Sequence, residues 1–266
     1  MTAATLRGTL LLAFVLFITL PLVMVLLEAF GADWFGVQML PAHWTLRWFV
    51  WATETVDLVG VLLNTVEIAV LATVFTLIIA IPGAWAIARY RLPLKSVLIG
   101  AILFPRMIPE ITFALGVARI FYAINLTNTA VGIALAHVIL AAPFAVVVLV
   151  STFEGLDTRL LEAGAVLGCG PISLFRRVTL PLALPGIVAA ALFSFLASYN
   201  DFVLTLMVYG ADTVTLPVQT YLSLGNGYLS VASAISTVLL FPSLLFLLGM
   251  LRMVNPENLL GGLKGA

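Results

Sequence analysis

Long apolar stretches alternate with short polar segments along most of this chain. A helix needs about 20 mostly apolar residues to cross a bilayer core of about 30 Å. Six stretches reach that length: 9–30, 59–87, 97–122, 129–152, 185–209 and 230–253. Continuous apolar runs, without alternation of polar and apolar positions, favour helices over the strands of a membrane barrel. The pattern predicts an all-α integral membrane protein with six transmembrane helices.

The composition agrees with that class. Hydrophobic residues make up 63% of the chain and charged residues 9%, against about 25% charged in soluble domains. The formal net charge is zero, which hides an uneven distribution of basic residues and says nothing about partners. We expect the lipid bilayer, and no nucleic acid, among the partners. No linker rich in Ser, Gly or Pro divides residues 1–266, which predicts one transmembrane domain. The first apolar run is too long for a signal-peptide core, so we interpret it as a span.

Basic residues predict the orientation. Arg47 stands in the segment after the first span, whereas the segments that the alternation assigns to the other side are rich in Arg and Lys. These basic residues are Arg7, Arg89, Arg91, Lys95, Arg159, Arg176, Arg177, Arg252 and Lys264. Both termini are therefore predicted to be cytoplasmic.

A polar interlude at about 31–58 separates the first two spans. Trp34, Trp44, Trp48 and Trp51 are interleaved there with charged residues. Tryptophan rings prefer the headgroup level, so the segment is either an interfacial anchor on the outer face or a ligand-binding element.

Small side chains recur every four residues in the second span, which places them in one stripe of a helix. They are Ala72, Thr76, Ala80, Ala84 and Ala88. Such stripes allow close helix packing in membranes, and Pro82 beside them predicts a kink.

The segment at about 153–184 is the extended polar region between spans. Its pattern predicts two short amphipathic helices, 157–167 and 171–178, with a turn at Gly168 and Gly170. Cys169, the single cysteine, lies in that turn, so no disulfide can form within the chain. Helices this short are marginal alone and need a partner surface.

Enzyme motifs are missing from the sequence. It contains no phosphate-binding loop for ATP, no His-Glu-x-x-His zinc motif and no Gly-x-Ser-x-Gly nucleophile. His43 and His137 are too far apart to suggest a metal pair. His137 is either a hydrogen-bonded histidine within the helix bundle or part of a proton relay. We therefore predict a chain that is not an enzyme.

Charged residues inside the spans are candidates for a transport site. Asp201 lies within the predicted fifth span, where an unpaired charge is costly, so it should face the bundle interior or a water-filled cavity. It either meets a cationic substrate, with Tyr199 offering an aromatic face and Asn200 an amide, or bonds to a neighbouring helix.

The third span carries a second charged group. Pro105 and Pro109 flank Arg106, and Glu110 follows one turn later. The prolines loosen the helix, and Arg106 with Glu110 forms either an internal ion pair or a gate and second amine contact.

The polar segment resembles the coupling motif of ABC-importer permease subunits, usually written Glu-Ala-Ala, three residues, Gly, nine residues, Ile-x-Leu-Pro. The matching residues are Glu162, Ala163, Gly168, Leu180 and Pro181. Gly164 replaces the second alanine of the motif, and Val178 replaces its isoleucine. Both substitutions preserve size or shape.

The resemblance implies a type I importer permease fold in the bacterial inner membrane and a set of partners. These are a homologous second permease subunit, two ATP-binding subunits that receive the coupling loop, and a periplasmic or extracellular substrate-binding protein. ATP and magnesium would be held by the ATP-binding subunits, with no cofactor on this chain.

A narrower resemblance covers most of the chain from the second span onward. It rests on Pro109-Glu110, His137 with Pro143-Phe144, Tyr199 to Phe202, and Thr215 to Pro217. These segments look similar to the second permease of spermidine/putrescine importers, which implies a polyamine or other small amine as cargo. Importers of ferric iron, thiamine, phosphonates or opine-like compounds share parts of the pattern, and a proton-coupled secondary transporter is the alternative from another class.

Overall fold

The computed structural model describes residues 3–34 and 40–253, and within them the chain is almost entirely helical. The helices are α1 Ala3–Phe30, α2 Arg47–Val56, α3 Leu58–Arg89, α4 Lys95–Leu103, α5 Glu110–Ala123, α6 Ala130–Glu154, α7 Thr158–Val166, α8 Pro171–Leu174, α9 Leu180–Leu182, α10 Leu184–Tyr199, α11 Val203–Val208, α12 Leu216–Gly225 and α13 Leu229–Met253. Two short strands, β1 Gly31–Ala32 and β2 His43–Trp44, pair antiparallel. The predicted all-α class is confirmed.

Four single helices in the described residues are long and apolar enough to cross a membrane, and two bent helix pairs raise the number to six. The single helices are Thr5–Phe30, Leu58–Arg89, Ala130–Glu154 and Leu229–Phe246. One of the bent pairs, Lys95–Met107 with Glu110–Ala123, lies in the predicted third span, which is therefore interrupted and not continuous. The orientation of the termini stays a prediction, and Lys264, one of the residues behind it, lies outside the described part of the chain.

The third span breaks where its prolines lie. Lys95–Met107 and Glu110–Ala123 are bent by 96° relative to each other. The first segment ends in a 3₁₀ turn, Phe104–Met107, and Ile108 is extended with φ −82° and ψ 139°. A residue before proline avoids helical geometry, and Pro109 has no N–H to donate, so the helix restarts at Glu110.

The fifth span was predicted as one helix over 185–209, and that prediction is wrong. α10 ends at Tyr199, residues 200–202 are not helical, and α11 begins at Val203. No proline lies at this interruption. Asp201 therefore stands in a break between two helices and not inside a helix. A second bend, of 71°, separates Pro171–Leu182 from Leu184–Tyr199.

Two compact units divide the chain: Met1–Leu62 with Thr215–Leu247, and Leu63–Val214 with Leu248–Ala266. The division after Leu62 falls inside α3 and the division after Leu247 falls inside α13. The single domain over 1–266 stays a prediction.

In the first unit, the segment after α1 folds back beside its end. The Trp48 Nε1–H donates to the carbonyl of Gly31 at 2.7 Å, and the Trp48 ring lies 4.2 Å from the Arg47 guanidinium carbon. Trp51 packs on Tyr228 with ring centroids 4.9 Å apart. These contacts pack tryptophans of the 31–58 segment against protein, while Trp44 is 66% exposed.

In the second unit, four of the five residues in the small-residue stripe of α3 are buried, and the fifth, Ala88, is half-buried. Ala72, Thr76, Ala80 and Ala84 are each 0% exposed. Ala72 packs in a cluster with α5, α6 and α11, and Ala80 and Ala84 pack in a second cluster with α6 and α10. Because none of these side chains is larger than threonine, the neighbouring helices approach α3 closely along its length.

Candidate functional site

Both interrupted spans contribute to one cavity in the second unit. Its volume is about 210 Å³, and polar residues from the two breaks and from α6 contribute to its wall. The lining residues are Arg106, Glu110, His137, Leu140, Ala197, Asn200, Asp201, Phe202 and Val203. The structure thus brings together three of the four predicted pathway residues, Glu110, Asn200 and Asp201.

His137 is the centre of the polar network behind this cavity. It is 2% exposed, its Nδ1 lies 2.7 Å from Ser198 Oγ, and its Nε2 lies 2.9 Å from Thr205 Oγ1. Nε2 is also 3.2 Å from Asp201 Oδ1. The network fits an imidazole whose Nε2–H donates toward Thr205 and Asp201 while Nδ1 accepts from the Ser198 hydroxyl. Of the two interpretations of His137, the geometry favours the hydrogen-bonded bundle histidine.

Asp201 makes its contacts through one carboxylate oxygen. Oδ1 accepts from the Thr205 backbone N–H at 3.0 Å and from the Thr205 hydroxyl at 3.2 Å, in addition to the His137 contact. It therefore caps the start of α11, where backbone donors have no helical partner. Among the described residues, Oδ2 has no such contact. The structure therefore shows the predicted alternative, in which Asp201 bonds to a neighbouring helix. These bonds use one of the two carboxylate oxygens.

Tyr199 and Asn200 differ in their access to the cavity. The Tyr199 ring is 0% exposed and stacks on Phe195 at 5.6 Å, so it does not line the cavity or offer a face to it. Asn200 lines the cavity, and its Nδ2 donates to the carbonyl of Leu196 at 2.9 Å. The predicted cation–π role of Tyr199 lacks the geometry it needs in this conformation.

Arg106 and Glu110 are not joined by an ion pair, within 4.0 Å, in the part of the chain that the structure describes. An i,i+4 pair needs a continuous helix, and the break at residues 108–109 removes it. The Arg106 Nε–H donates instead to the carbonyl of Leu140 at 2.9 Å, and its guanidinium lies 4.6 Å from the Phe144 ring centre. The internal-pair interpretation is therefore corrected, and Glu110 is left facing the cavity.

The predicted two-helix loop is confirmed in the second unit. α7 begins after Asp157, whose side chain accepts from the Arg159 N–H at 2.9 Å as an N-cap. Gly168 has φ +83°, a left-handed conformation that glycine adopts without strain, and it ends the first helix. The second helical segment runs on from Pro171 through a π-helical turn, Phe175–Thr179, and α9.

Gly164, the departure from the motif, has a structural explanation. It is buried, and a Cβ added to it would lie 2.5 Å from Leu174 Cδ1 and 3.9 Å from Val178 Cγ2. The Leu174 side chain therefore occupies the place where an alanine methyl would stand. Val178, the second departure, packs from the opposite helical segment toward the same point.

The other motif residues lie mostly at the surface. Glu162, Ala163, Gly168 and Pro181 are exposed, and Leu180 is half-buried. Beside them Val166, Leu167 and Ile172 are 88%, 84% and 74% exposed. Phe175 and Val178 of the second helical segment are half-buried, whereas Ile172 is exposed. Such a group of exposed large apolar residues marks an interaction surface.

A row of aromatic rings connects the loop with two spans. Phe175 lies 5.5 Å from Trp85 of α3, and Trp85 meets Phe153 of α6 edge-on at 5.3 Å. Phe153 is 0% exposed. Trp85 and Phe153 were not among the residues predicted for the site, because their contact with Phe175 joins positions far apart in sequence.

The chain combines two interrupted spans around a polar cavity with a surface loop that contacts α3, an arrangement that fits a membrane transport subunit. Comparisons with known proteins identify the group. Residues 72–258 match the family described as the inner membrane component of binding-protein-dependent transport systems, so this chain belongs to that family. It is a multi-pass inner-membrane permease of an ABC importer; it works with an ATPase and a binding protein, and is not itself an enzyme.

Individual relatives differ in cargo. The spermidine/putrescine permease PotC of Escherichia coli K12 is 27% identical over 93% of each chain. The trehalose permease SugB of Mycobacterium tuberculosis is 31% identical over 77% of this chain and 76% of its own. A solved bacterial ABC transporter that imports alginate has a chain with a TM-score of 0.75 and 18% identity, covering 95% of this chain and 96% of its own. That last likeness supports the type I permease fold.

Proposed function

We propose that this chain forms half of the translocation pathway of an ABC importer for a polyamine or another small organic amine. The observation that carries the cargo class is the placement of two carboxylates, Glu110 and Asp201, in the wall of one cavity between interrupted spans. The other half of the pathway comes from a homologous second permease subunit. Two ATP-binding subunits and an external binding protein complete the importer, and both termini of this chain face the cytoplasm.

The two carboxylates suit an ammonium group for different reasons. Glu110 has no ion-pair partner within 4.0 Å among the described residues, so its charge is available to a ligand. Asp201 is anchored through Oδ1, which leaves Oδ2 free to accept a charge-assisted hydrogen bond. Arg106 is turned toward Leu140 and Phe144, so it neutralises neither acid by direct contact. The wall therefore favours a cation with several N–H donors.

The mechanism couples ATP to this cavity through the loop. In our proposal, closure of the ATPase dimer moves the surface formed by Glu162, Ala163, Gly168 and their exposed apolar neighbours. The ring row from Phe175 through Trp85 to Phe153 carries that movement to α3 and α6. α6 also holds His137 behind the cavity, so movement of α6 changes the access of cargo to Glu110 and Asp201.

A test separates the cargo role of Asp201 from its structural role. In Asp201→Asn, the amide oxygen can keep the three Oδ1 contacts, while an NH₂ donor replaces Oδ2 and repels an ammonium group. In Asp201→Ala, buried donors of Thr205 and His137 lose their acceptor, at about 1–3 kcal/mol for each. We expect normal assembly and uptake at limiting cargo reduced about tenfold or more in the asparagine variant, the value of one charge-assisted hydrogen bond.

The measurement is uptake of radiolabelled putrescine or spermidine into cells, with the assembled transporter quantified by co-purification of the ATPase. Unchanged uptake by the Asp201→Asn variant at limiting cargo would show that the acid is structural alone. The alanine variant is the control for folding, since we expect it to lower assembly and uptake together.

A carbohydrate is the second candidate cargo, because a relative at 31% identity is a trehalose permease. Ferric iron, thiamine, phosphonates and opine-like solutes are further candidate cargoes for a permease of this class. Purification of the cognate binding protein and mass spectrometry of its bound ligand decides among them. An uncharged disaccharide in that protein would refute the amine proposal and leave the permease class intact.

A further inference from the structure

One face of α6 contacts both interrupted spans. His137, Leu140 and Phe144 follow one another at spacings of three and four residues, so they share a side of the helix. His137 contacts the break in the fifth span, and Leu140 with Phe144 contacts Arg106 at the break in the third. We propose that His137 and Arg106 are positioning residues that tie the two breaks to α6, so that both breaks open and close together as one gate.

His137 connects the two sides of its break. Ser198 belongs to α10 before the interruption, Asp201 stands within it, and Thr205 belongs to α11 after it. A single imidazole lies within 2.7 Å of the first, 3.2 Å of the second and 2.9 Å of the third. The relative placement of α10 and α11 therefore depends on one side chain from another helix.

Arg106 ties one side of the other break to the same face of α6. It is the third residue of the 3₁₀ turn that ends the first half of the third span, and Glu110 begins the second half. Its side chain donates to a backbone carbonyl of α6 and lies over a ring of the same helix. Pro143 stands between Leu140 and Phe144, and its missing N–H removes one backbone hydrogen bond of α6 at this level.

Joint movement follows from the cost of leaving buried polar groups without partners. If the fifth span moved alone, the His137 nitrogens and the hydroxyls of Ser198 and Thr205 would lose their contacts in a buried place. If the third span moved alone, the Arg106 Nε–H would lose its carbonyl acceptor; because Arg106 is exposed, the cost there is the lost hydrogen bond and the lost contact with the Phe144 ring, and not an unsatisfied buried group. A shift of α6 that moves both breaks together keeps these contacts. Pro143 removes one backbone hydrogen bond of α6 at the level of these contacts, so the helix bends more easily there.

The proposal rests on membership in the ABC-importer family and not on the amine cargo. The test therefore uses the complete transporter in proteoliposomes, with its ATPase subunits and its binding protein loaded with that protein's own ligand. The readout is the number of ATP molecules hydrolysed per cargo imported. A residue that only packs the bundle would lower uptake and hydrolysis in parallel, whereas a gate residue changes their ratio.

Two amides distinguish the contacts of His137. In His137→Asn the amide reaches the position of Nδ1 and can keep the Ser198 contact, whereas in His137→Gln it reaches the region of Nε2 and can keep Asp201 and Thr205. We expect ATP per cargo to rise about tenfold in the asparagine variant, the factor for about 1.4 kcal/mol of lost hydrogen bonding. We expect the glutamine variant, which loses the single Ser198 contact, to raise the ratio less than the asparagine variant does. An unaltered ratio in His137→Asn would overturn the proposal.

Joint action of the breaks is tested with a double variant. Arg106→Lys keeps the charge but cannot offer an N–H at the Nε position. If the two residues hold one gate, the double variant His137→Asn with Arg106→Lys raises ATP per cargo no more than the more severe single variant does. An increase equal to the product of the two single-variant increases would refute joint action. Arg119→Lys, an exposed arginine of α5, is the matched control and should leave the ratio unchanged.

A third variant tests the proposal if the His137 variants fail to assemble. Thr205→Val removes the hydroxyl contacts with His137 and Asp201 with little change in shape, and it keeps the Thr205 backbone N–H bond to Asp201 and His137 itself. We expect the same increase in ATP per cargo, and an unchanged ratio in this assembled variant would count against the proposal.

Discussion

Truncation of Phe175 should separate ATP hydrolysis from transport. Its ring is half-buried and lies 5.5 Å from Trp85, at the point where the surface loop meets α3. Phe175→Ala removes that ring but leaves Glu162, Gly168 and the exposed apolar residues of the loop in place. The loop should therefore still bind the ATPase while its movement no longer reaches Trp85 and Phe153.

The size of the effect follows from the burial of the ring. A fully buried Phe→Ala change costs about 3–5 kcal/mol, so a half-buried ring is worth about 2 kcal/mol. A free-energy change of about 2 kcal/mol corresponds to a decrease of about thirtyfold in the fraction of transporters whose loop is in contact with Trp85. Phe175→Leu keeps most of the apolar volume and loses the ring pair, worth about 1 kcal/mol, so a decrease of about fivefold is expected.

The assay measures cargo uptake and ATP hydrolysis on the same proteoliposomes. We expect uptake to fall in the order unchanged chain, leucine, alanine, while ATPase co-purification stays constant. Phe241→Ala is the matched control, because Phe241 is 64% exposed and its truncation should leave uptake unchanged. Full uptake by the Phe175→Ala transporter would refute the role of the ring row.

Four further predictions concern the loop and the ends of the chain. Gly168→Trp and Glu162→Lys should abolish uptake while the chain still inserts, and normal ATPase docking with normal transport in both would contradict the coupling role. Gly168→Ala isolates the backbone effect, since a Cβ there meets nothing within 4 Å while φ is +83°; we expect a loss of about 1 kcal/mol in loop stability, seen as weaker ATPase retention. Gly164→Ala should weaken retention of the ATPase by crowding Leu174, and Leu174→Val in the same chain should restore it; no recovery would mean that the methyl is accommodated elsewhere. Reporter fusions at each terminus should both be active in the cytoplasm, and export of either reporter would reverse the proposed orientation.

The sequence predicted those features that depend on neighbouring residues. The two loop helices, the turn at Gly168 and the buried stripe of α3 follow from spacing and side-chain size over a few turns. Pro105 and Pro109 predicted a loosened third span, although the 96° bend exceeds what was expected.

The remaining features depend on contacts that no local pattern encodes. The break in the fifth span has no proline, and it is supported by His137, which lies 64 positions before Asp201 in the sequence. Arg106 and Glu110 look like an i,i+4 pair until the break separates them, and Tyr199 looks accessible until its ring packs on Phe195. Burial, and not residue type, decided these cases.

The contact between His137 and Asp201 also bears on how the chain enters the membrane during synthesis. An aspartate at the centre of an isolated inserting segment costs about 2.5–3.5 kcal/mol on translocon scales. His137 belongs to the preceding span, so ribosomal order delivers the histidine to the bilayer before the carboxylate emerges. His137 is therefore already in the bilayer as a partner for Asp201 when the fifth span is inserted. Removal of the fourth span should prevent insertion of the fifth.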